Sequence, residues 1–348
     1  MSYFEKIKNT AIKENAVILG IETSCDETAA SIVKGGREIL ADCIISSATE
    51  HVRFGGVVPE IASRAHTEAI YTVVDQALKD ANLTLDDIDG IAVTKGAGLI
   101  GALLVGVSFA KGLAYATNKP LIPVSHIRGH MSAGYLADRE LKPPFICLLA
   151  SGGHTAIVHI KDYYDMEVVG STVDDAVGEA FDKTARVLGL SYPGGPNIEK
   201  LAKQGANTVA LPKMFKGKGG YSFSYSGLKT AIINFVHNKE QKGEEINKAD
   251  IACSFQSTAL DILIEKTIQC AVERGVNTVV VCGGVGANGY LRENITIKAQ
   301  AQNLKVVLPE KRYCTDNACM IASEGYLQYL KGNFASLDLN ASAVVPLE

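Results

Sequence analysis

The strongest constraint on this chain is that it repeats itself. The stretch "AVILGIETSCDETAASIVKGG" reads as an apolar strand, a small polar turn and a second strand. The same pattern returns in "FICLLASGGHTAIVHIKD", which begins at Phe145. Later in the first half comes "IDGIAVTKGAGLIGALLVGVSFAKGLAYATNKPLIPVS", and its counterpart is "VNTVVVCGGVGANGYLRENITIKAQAQNLKVVLPE". Both predict a strand, a Gly-rich turn, a helix and a strand, which is a βαβ unit. Helical segments over His66–Asp80 and Ala252–Arg274 separate the hairpins from the βαβ units. The chain is therefore expected to fold as two similar α/β halves. Turns at the carboxyl ends of such strands are where open α/β sheets bind ligands, so a ligand cleft between the halves is expected.

The length of 348 residues is enough for two domains. The polar, proline-marked "DRELKPP", Asp138–Pro144, is the natural boundary. A stretch from Pro193 to Lys248 reads as an insertion and holds "LPKMFKGKGGYSFSYSGLKTA". A net charge of −4 gives no global basic footprint for nucleic acid, although a local patch is sufficient. The eight cysteines form no CxxC pair and read as reduced core thiols. The opening "MSYFEKIKNTAIKEN" is charged and has no apolar core of a signal peptide. The uncharged, apolar run Gly96 to Ala110 falls short of the roughly 20 residues that span a bilayer. It is expected to be a buried helix of a soluble, cytoplasmic protein with no membrane partner.

The histidines of "HIRGH", His126 and His130, are four apart and share a face if helical. The peptidase signature HExxH needs a glutamate beside its first histidine as general base. Ile127 stands there, so a zinc peptidase would lack its base. Two imidazoles fill only part of a metal shell. "YCTDNACMIASEGYLQYL" offers Asp316 at a helix start, with Thr315 as the expected N-cap. Capping is also an alternative role for Asp316 itself. The acidic turn "ETSCDETA" carries Glu22, Asp26 and Glu27, and reads either as a phosphate- and metal-facing turn or as a solvated hairpin tip.

Two Gly-rich turns, "LLASGGHT" and "CGGVGANGYLR", follow apolar strands. Glycine there lets backbone N–H groups approach a phosphate or acyl oxygen. In the second, a helix N-terminus adds partial positive charge. Neither fits the dinucleotide or Walker A patterns. "GEAFDKTARVLGL" reads as a helix with Asp182 and Lys183, and "YPGGPNIEK" as a rigid turn into another helix.

Taken in order, "GIETSCDETAAS", "HIRGH", "LLASGGHT", "GEAFDKTARVLGL", "YPGGP", "FSYSGLKTA", "GGVGANGYLR" and "TDNACMIA" resemble the bacterial TsaD family over about residues 17 to 335. These are the tRNA N6-adenosine threonylcarbamoyltransferases, once labelled O-sialoglycoprotein endopeptidases. The resemblance implies an actin-like ATPase (ASKHA) fold of two ribonuclease H-like halves. It implies an N-terminal extension over 1–16 and a first half over 17–140. A second half over 141–314 follows, and a C-terminal segment over 315–348 returns the third metal ligand. The implied ligands are His126, His130 and Asp316, holding Fe(2+), with Zn(2+) as the alternative. The implied substrate positions are Leu149, Ala150, Ser151, Gly152, Gly153, Asp182, Gly195, Glu199 and Asn288. Two positions depart from the family pattern: Tyr225 stands where phenylalanine is common, and Glu199 where aspartate is common.

The reaction so implied moves a threonylcarbamoyl group from threonylcarbamoyl-adenylate to the N6 amine of the tRNA adenosine beside the anticodon, position 37, in tRNAs reading codons that begin with A. AMP leaves. A TsaB-like heterodimer partner, a TsaE-like ATPase and a TsaC-type source of the adenylate are implied with it. Asp26 and His154 are general-base candidates from their places in the turns. For tRNA, Lys213, Lys216, Lys218 and Lys229, interleaved with Phe215, Tyr221, Phe223 and Tyr225, suit phosphates and unstacked bases. A sugar or acyl kinase of the same fold is the alternative enzyme class, and a non-catalytic actin-like assembly or chaperone ATPase the third reading. The kinase would have no use for HIRGH together with Asp316.

Overall fold

The structure is a computed structural model that describes residues 2–212 and 220–347. It divides into two compact units, 2–141 with Thr315–Leu347, and Lys142–Cys314. The first opens with a short helix, α1 (Tyr3–Ile7), and continues through β1 (Val17–Glu22), β2 (Glu27–Lys34) and β3 (Glu38–Ser46). Next come α2 (Ala48–His51), α3 (Pro59–Asp80), β4 (Gly90–Gly96), α4 (Ile100–Thr117), β5 (Leu121–Ser125) and α5 (His126–Ala137). The second unit runs β6 (Phe145–Ala150), β7 (Thr155–Ile160), β8 (Met166–Ser171), α6 (Val177–Val187), α7 (Gly194–Ala202) and α8 (Ser226–Gln241). It ends with α9 (Lys248–Glu273), β9 (Thr278–Cys282), α10 (Gly289–Gln300) and β10 (Lys305–Val307). The chain then returns to the first unit with α11 (Ala318–Leu330).

Each unit holds a five-stranded sheet, ordered β3-β2-β1-β4-β5 in the first and β10-β9-β6-β7-β8 in the second. Read from opposite ends, the two orders are the same. In each, three strands run antiparallel in succession and two further strands pair parallel beside the first. The repeat in the sequence is thus a repeat of topology. The third strand of each sheet escaped the sequence reading. Both β3 and β8 are partly solvated edges, so their apolar signal is diluted.

Helix boundaries move as local chemistry dictates. The first long helix starts at Pro59 rather than near His66, with proline in its first turn. The N-cap of α9 is Asn247, whose side chain accepts from the N–H groups of Ala249 and Asp250. The expectation that the Gly96–Ala110 run is simply buried is corrected. One face of α4, with Ala102, Leu103, Val107, Ala110 and Ala114, packs inward, while Ile100, Leu104 and Tyr115 are exposed. By length and composition, this is the one helix among the described residues that could cross a membrane. Its inner face nevertheless joins the core of the first unit. The segment before β1 is no loose appendage either. Tyr3 and Ile7 are buried in that core, and the Tyr3 hydroxyl donates to the Lys119 carbonyl at 2.7 Å. The eight cysteines are free thiols.

The site depends most on how α11 sits on β1. A Cβ at Gly20 would lie 2.4 Å from the Ala318 carbonyl oxygen and 2.8 Å from the Ala322 nitrogen. Glycine at that position lets the helix rest directly on the strand.

Candidate metal centre and substrate turns

Strand β5 ends at Ser125 and α5 begins at His126, so both histidines lie in the first two turns of one helix. Their rings sit edge to face with centroids 4.6 Å apart. The third residue arrives from the other end of the chain. Asn317, not Thr315, caps α11: its Oδ1 accepts from the Met320 N–H at 2.9 Å, and its Nδ2 donates to the Thr315 carbonyl at 2.7 Å. The expected Thr315 cap is therefore corrected, and Asp316 is not the cap. Its Oδ1 lies 3.3 Å from His130 Nε2 and 3.5 Å from His126 Nε2. One ligand atom from each of His126, His130 and Asp316 falls within 4.8 Å of the others.

Behind the triad stands Glu22, fully buried at the end of β1. It is not a solvated hairpin tip. Its Oε2 accepts from His126 Nδ1 at 3.1 Å and from the Thr94 hydroxyl at 2.7 Å. Ser24 Oγ lies 3.1 Å from the same ring nitrogen. Donation from Nδ1 to a carboxylate leaves Nε2 as the nitrogen that faces Asp316. Such carboxylate–imidazole pairs set ring orientation and basicity in metal sites. Sequence reading had grouped Glu22 with the hairpin acids. A glutamate closing an otherwise apolar strand was the available signal.

Charge in this pocket is unbalanced. Burial opposes ionisation of Glu22 and of Asp316, but His126 outweighs it for both, with His130 adding to the effect on Asp316. The Asp316 carboxyl is held at about 2. Burial likewise opposes protonation of His126, yet Asp316 and Glu22 overcome it and raise its pKa to about 9. Burial, then the neighbouring His126, pushes His130 down. Burial, Asp316 and Asp26 push the Glu27 carboxyl up to about 9. The chain thus takes up protons to offset an excess of carboxylates. Two imidazoles, a carboxylate and a buried carboxylate behind them form a donor set that suits a divalent cation. The Nδ1 of His130 is buried without a hydrogen-bond partner.

The turn between β1 and β2 is held from behind by two buried histidines. His66 Nε2 lies 2.9 Å from the Cys25 carbonyl, and its Nδ1 lies 2.7 Å from the Thr28 hydroxyl. His51 accepts from the Val58 N–H and pairs with Ser47, whose hydroxyl donates to the Asp26 carbonyl at 3.0 Å. Asp26 is thereby held in the first unit, hydrogen-bonded to the Glu27 carboxyl that also feels Asp316.

The second unit collects the substrate candidates. Leu149 and Ala150 close β6, and Ser151, Gly152 and Gly153 form the turn that follows. That turn is folded on itself: Ser151 N–H donates to the His154 carbonyl at 2.8 Å, and His154 N–H donates to Ser151 Oγ at 3.1 Å. A Cβ at Gly283 would lie 2.5 Å from the Ala150 carbonyl oxygen, and one at Gly178 would lie 2.7 Å from that of Ser151. The two Gly-rich turns and the start of α6 are therefore packed together. Asp182 accepts from the Gly194 N–H at 2.8 Å, with a further contribution from Gly195. Glu199 Oε1 accepts from the Gly289 N–H at 3.3 Å and faces Lys203 at 3.0 Å. Asn288 caps α10 through Leu291 and donates to Gln256 Oε1 at 2.9 Å. Gln256, which the sequence did not single out, holds that amide in place.

The candidate tRNA loop is only partly described. Lys213, Phe215, Lys216 and Lys218 lie outside the described residues. Of the rest, Phe223 and Tyr225 are about 1% exposed, which removes them as stacking platforms for bases. Tyr225 donates instead to the Ala259 carbonyl. Phe223 sits beneath Lys266, whose ammonium donates to the carbonyls of Gly220 and Ser222.

The profile of the TsaD family, described as tRNA N6-adenosine threonylcarbamoyltransferase, matches residues 38–323. A Clostridium botulinum (strain Kyoto / Type A2) protein of that description is 52% identical over 331 residues, covering 95% of this chain and 97% of the relative. A Clostridium perfringens (strain SM101 / Type A) protein with the same description is 51% identical over 326 residues, covering 93% and 96%. Among solved structures, full-length HypF in a phosphate- and nucleotide-bound form superposes with a TM-score of 0.60 at 17% identity, over 92% of this chain and 47% of HypF. Component A of the Acidaminococcus fermentans (R)-2-hydroxyglutaryl-CoA dehydratase gives 0.54 at 16% identity, over 90% and 99%. These two likenesses speak for the fold alone, and that fold is the actin-like ATPase architecture.

Proposed function

This chain belongs to the TsaD family of tRNA N6-adenosine threonylcarbamoyltransferases, and from that premise we propose which of its residues carry the transfer. The enzyme is an acyltransferase that places a threonylcarbamoyl group on the N6 of a tRNA adenosine. The kinase alternative is not favoured by any of the relatives described above.

The reading of the centre is that His126, His130 and Asp316 hold one divalent cation. The observation that supports it is the convergence of these three donors within 4.8 Å in front of the buried Glu22. A cation there would polarise the carbamoyl carbonyl and orient the threonyl group. Fe(2+) is the proposed ion and Zn(2+) the alternative, since imidazole and carboxylate suit both. Glu22 keeps His126 turned so that Nε2 faces the substrate side. The exocyclic amine of adenine is a poor nucleophile, so alignment of the two substrates contributes more than a strong base. Asp26, in the same unit as the triad, and His154 are the two proposed proton acceptors. His154 belongs to the folded turn of the second.

The donor substrate proposed is threonylcarbamoyl-adenylate, with AMP as the leaving group and the adenosine at position 37, in tRNAs reading codons that begin with A, as acceptor. In the second unit, the N–H groups of Gly152 and Gly153 suit its phosphate and carbonyl oxygens. Asp182, Gly195, Glu199 and Asn288 complete the proposed adenylate contacts. A TsaB-like partner and a TsaE-like ATPase, in the cytoplasm where tRNA is modified, belong to the same proposal. The test is transfer by the purified chain with such partners, tRNA and the adenylate. Native protein should release AMP as modified nucleoside forms. His126→Ala should abolish both, and full activity in that variant would remove His126 from the centre.

A further inference from the structure

We propose that the ion pair between half-buried Arg128 and buried Glu324 is a positioning lock for the metal centre, holding α5 against α11 so that His126, His130 and Asp316 meet. This rests on the metal reading above. Arg128 is the middle residue of "HIRGH", and the chemistry of the triad leaves it without a role. Glu324 lies on α11, eight residues beyond Asp316, and is 2% exposed. Its Oε1 accepts from Arg128 Nε at 2.9 Å and from Gln328 Nε2 at 2.6 Å, and its Oε2 accepts from the Ser132 hydroxyl at 2.7 Å.

The helices approach closely at Gly129. A Cβ there would lie 2.8 Å from Ile321 Cδ1. The Ser323 hydroxyl donates to the Gly36 carbonyl at 2.7 Å and lies 3.3 Å from the Ser132 carbonyl of α5. The ligands are therefore presented by two segments whose mutual register is set by residues 128–132 on one helix and 321–328 on the other. A slide of one helix along the other would carry Asp316 away from the two rings. Burying the Glu324 carboxylate is a poor way to gain stability, because desolvation offsets its attraction to Arg128. Fixing one geometry is a better-supported use of such a pair.

The experiment uses the full-length chain stripped with a chelator and titrated with Co(2+), whose visible ligand-field spectrum reports coordination geometry. The variants are Glu324→Gln, Arg128→Lys and the two combined. Each single variant should keep native far-ultraviolet circular dichroism, weaken Co(2+) binding about 10- to 100-fold as outer-shell changes do, and alter the spectrum. The combined variant should lose little more than the weaker single one, because the pair acts as a unit. Folded variants with native affinity and native spectrum would overturn the lock. Should Glu324→Gln fail to fold, Arg128→Lys decides, since the Arg128 side chain is 24% exposed and keeps its charge in that variant. No Co(2+) binding by the native chain would overturn the metal reading and the lock with it. Native binding with unchanged variants overturns the lock alone.

Discussion

At the scale of single residues, the pocket around His126 is organised by a surplus of carboxylates. Glu22 and Asp316 are both held ionised in a buried setting, and His126 is held protonated near pH 7 in the metal-free chain. A cation must displace that proton, because a ligating imidazole is neutral. Below the His126 pKa of about 9, lowering the pH therefore weakens apparent metal affinity, and raising it strengthens affinity. Calorimetric titration at pH 7 in two buffers of different ionisation enthalpy should show about one proton released per ion, or more if Glu27 also gives up its own. Release of none would mean that His126 is not a ligand. Glu22→Gln removes the charge behind the ring while keeping its size. It should cost about 10- to 100-fold in metal affinity, measured by competition with a chromophoric chelator.

Elements decide whether these residues meet at all. The helix α11 lies on β1 at Gly20, where no side chain intervenes. Gly20→Ala should force that helix outward, cost about 1–3 kcal/mol of stability as overpacked cores do, and weaken metal binding in the same protein. A denaturation midpoint equal to the native one would show that the contact is not tight. Much at this scale was legible beforehand. The apolar runs of β1, β4, β6 and β9 announced themselves through composition and period, whereas the helix of "HIRGH" was only a condition attached to the spacing of its histidines. The edge strands β3 and β8 did not, because most of their residues are only partly buried and their apolar signal is diluted. The cap at Asn317 was misjudged as Thr315. Both are good capping types, and only the path of the chain into α11 chooses between them. Phe223 and Tyr225 looked like a base-stacking pair and proved to be core, since composition does not say which way a ring points.

For the molecule as a whole, the repeat gives two copies of one sheet with different equipment. The copy formed by 2–141 and Thr315–Leu347 carries the histidines, Asp316 and the acidic turn. The copy formed by Lys142–Cys314 carries the glycine turns and the residues proposed for the adenylate. The residues alone offered Asp316 as a third ligand beside the histidine pair with capping as the alternative, and the resemblance chose between the two roles. Glu22 and Gln256 behind the proposed contacts were not readable as partners, because hydrogen bonds between distant elements leave no local pattern. The central claim is that this chain transfers a threonylcarbamoyl group to tRNA through a metal held by His126, His130 and Asp316. Its most direct measurement is mass spectrometry of nucleosides from unmodified tRNA incubated with threonylcarbamoyl-adenylate, the purified chain and its partners, compared between the native protein and the His130→Ala variant. The account predicts N6-threonylcarbamoyladenosine with the native protein and essentially none with the variant, whose bound metal should be lost as well. Equal amounts of the modified nucleoside from the two proteins would contradict it.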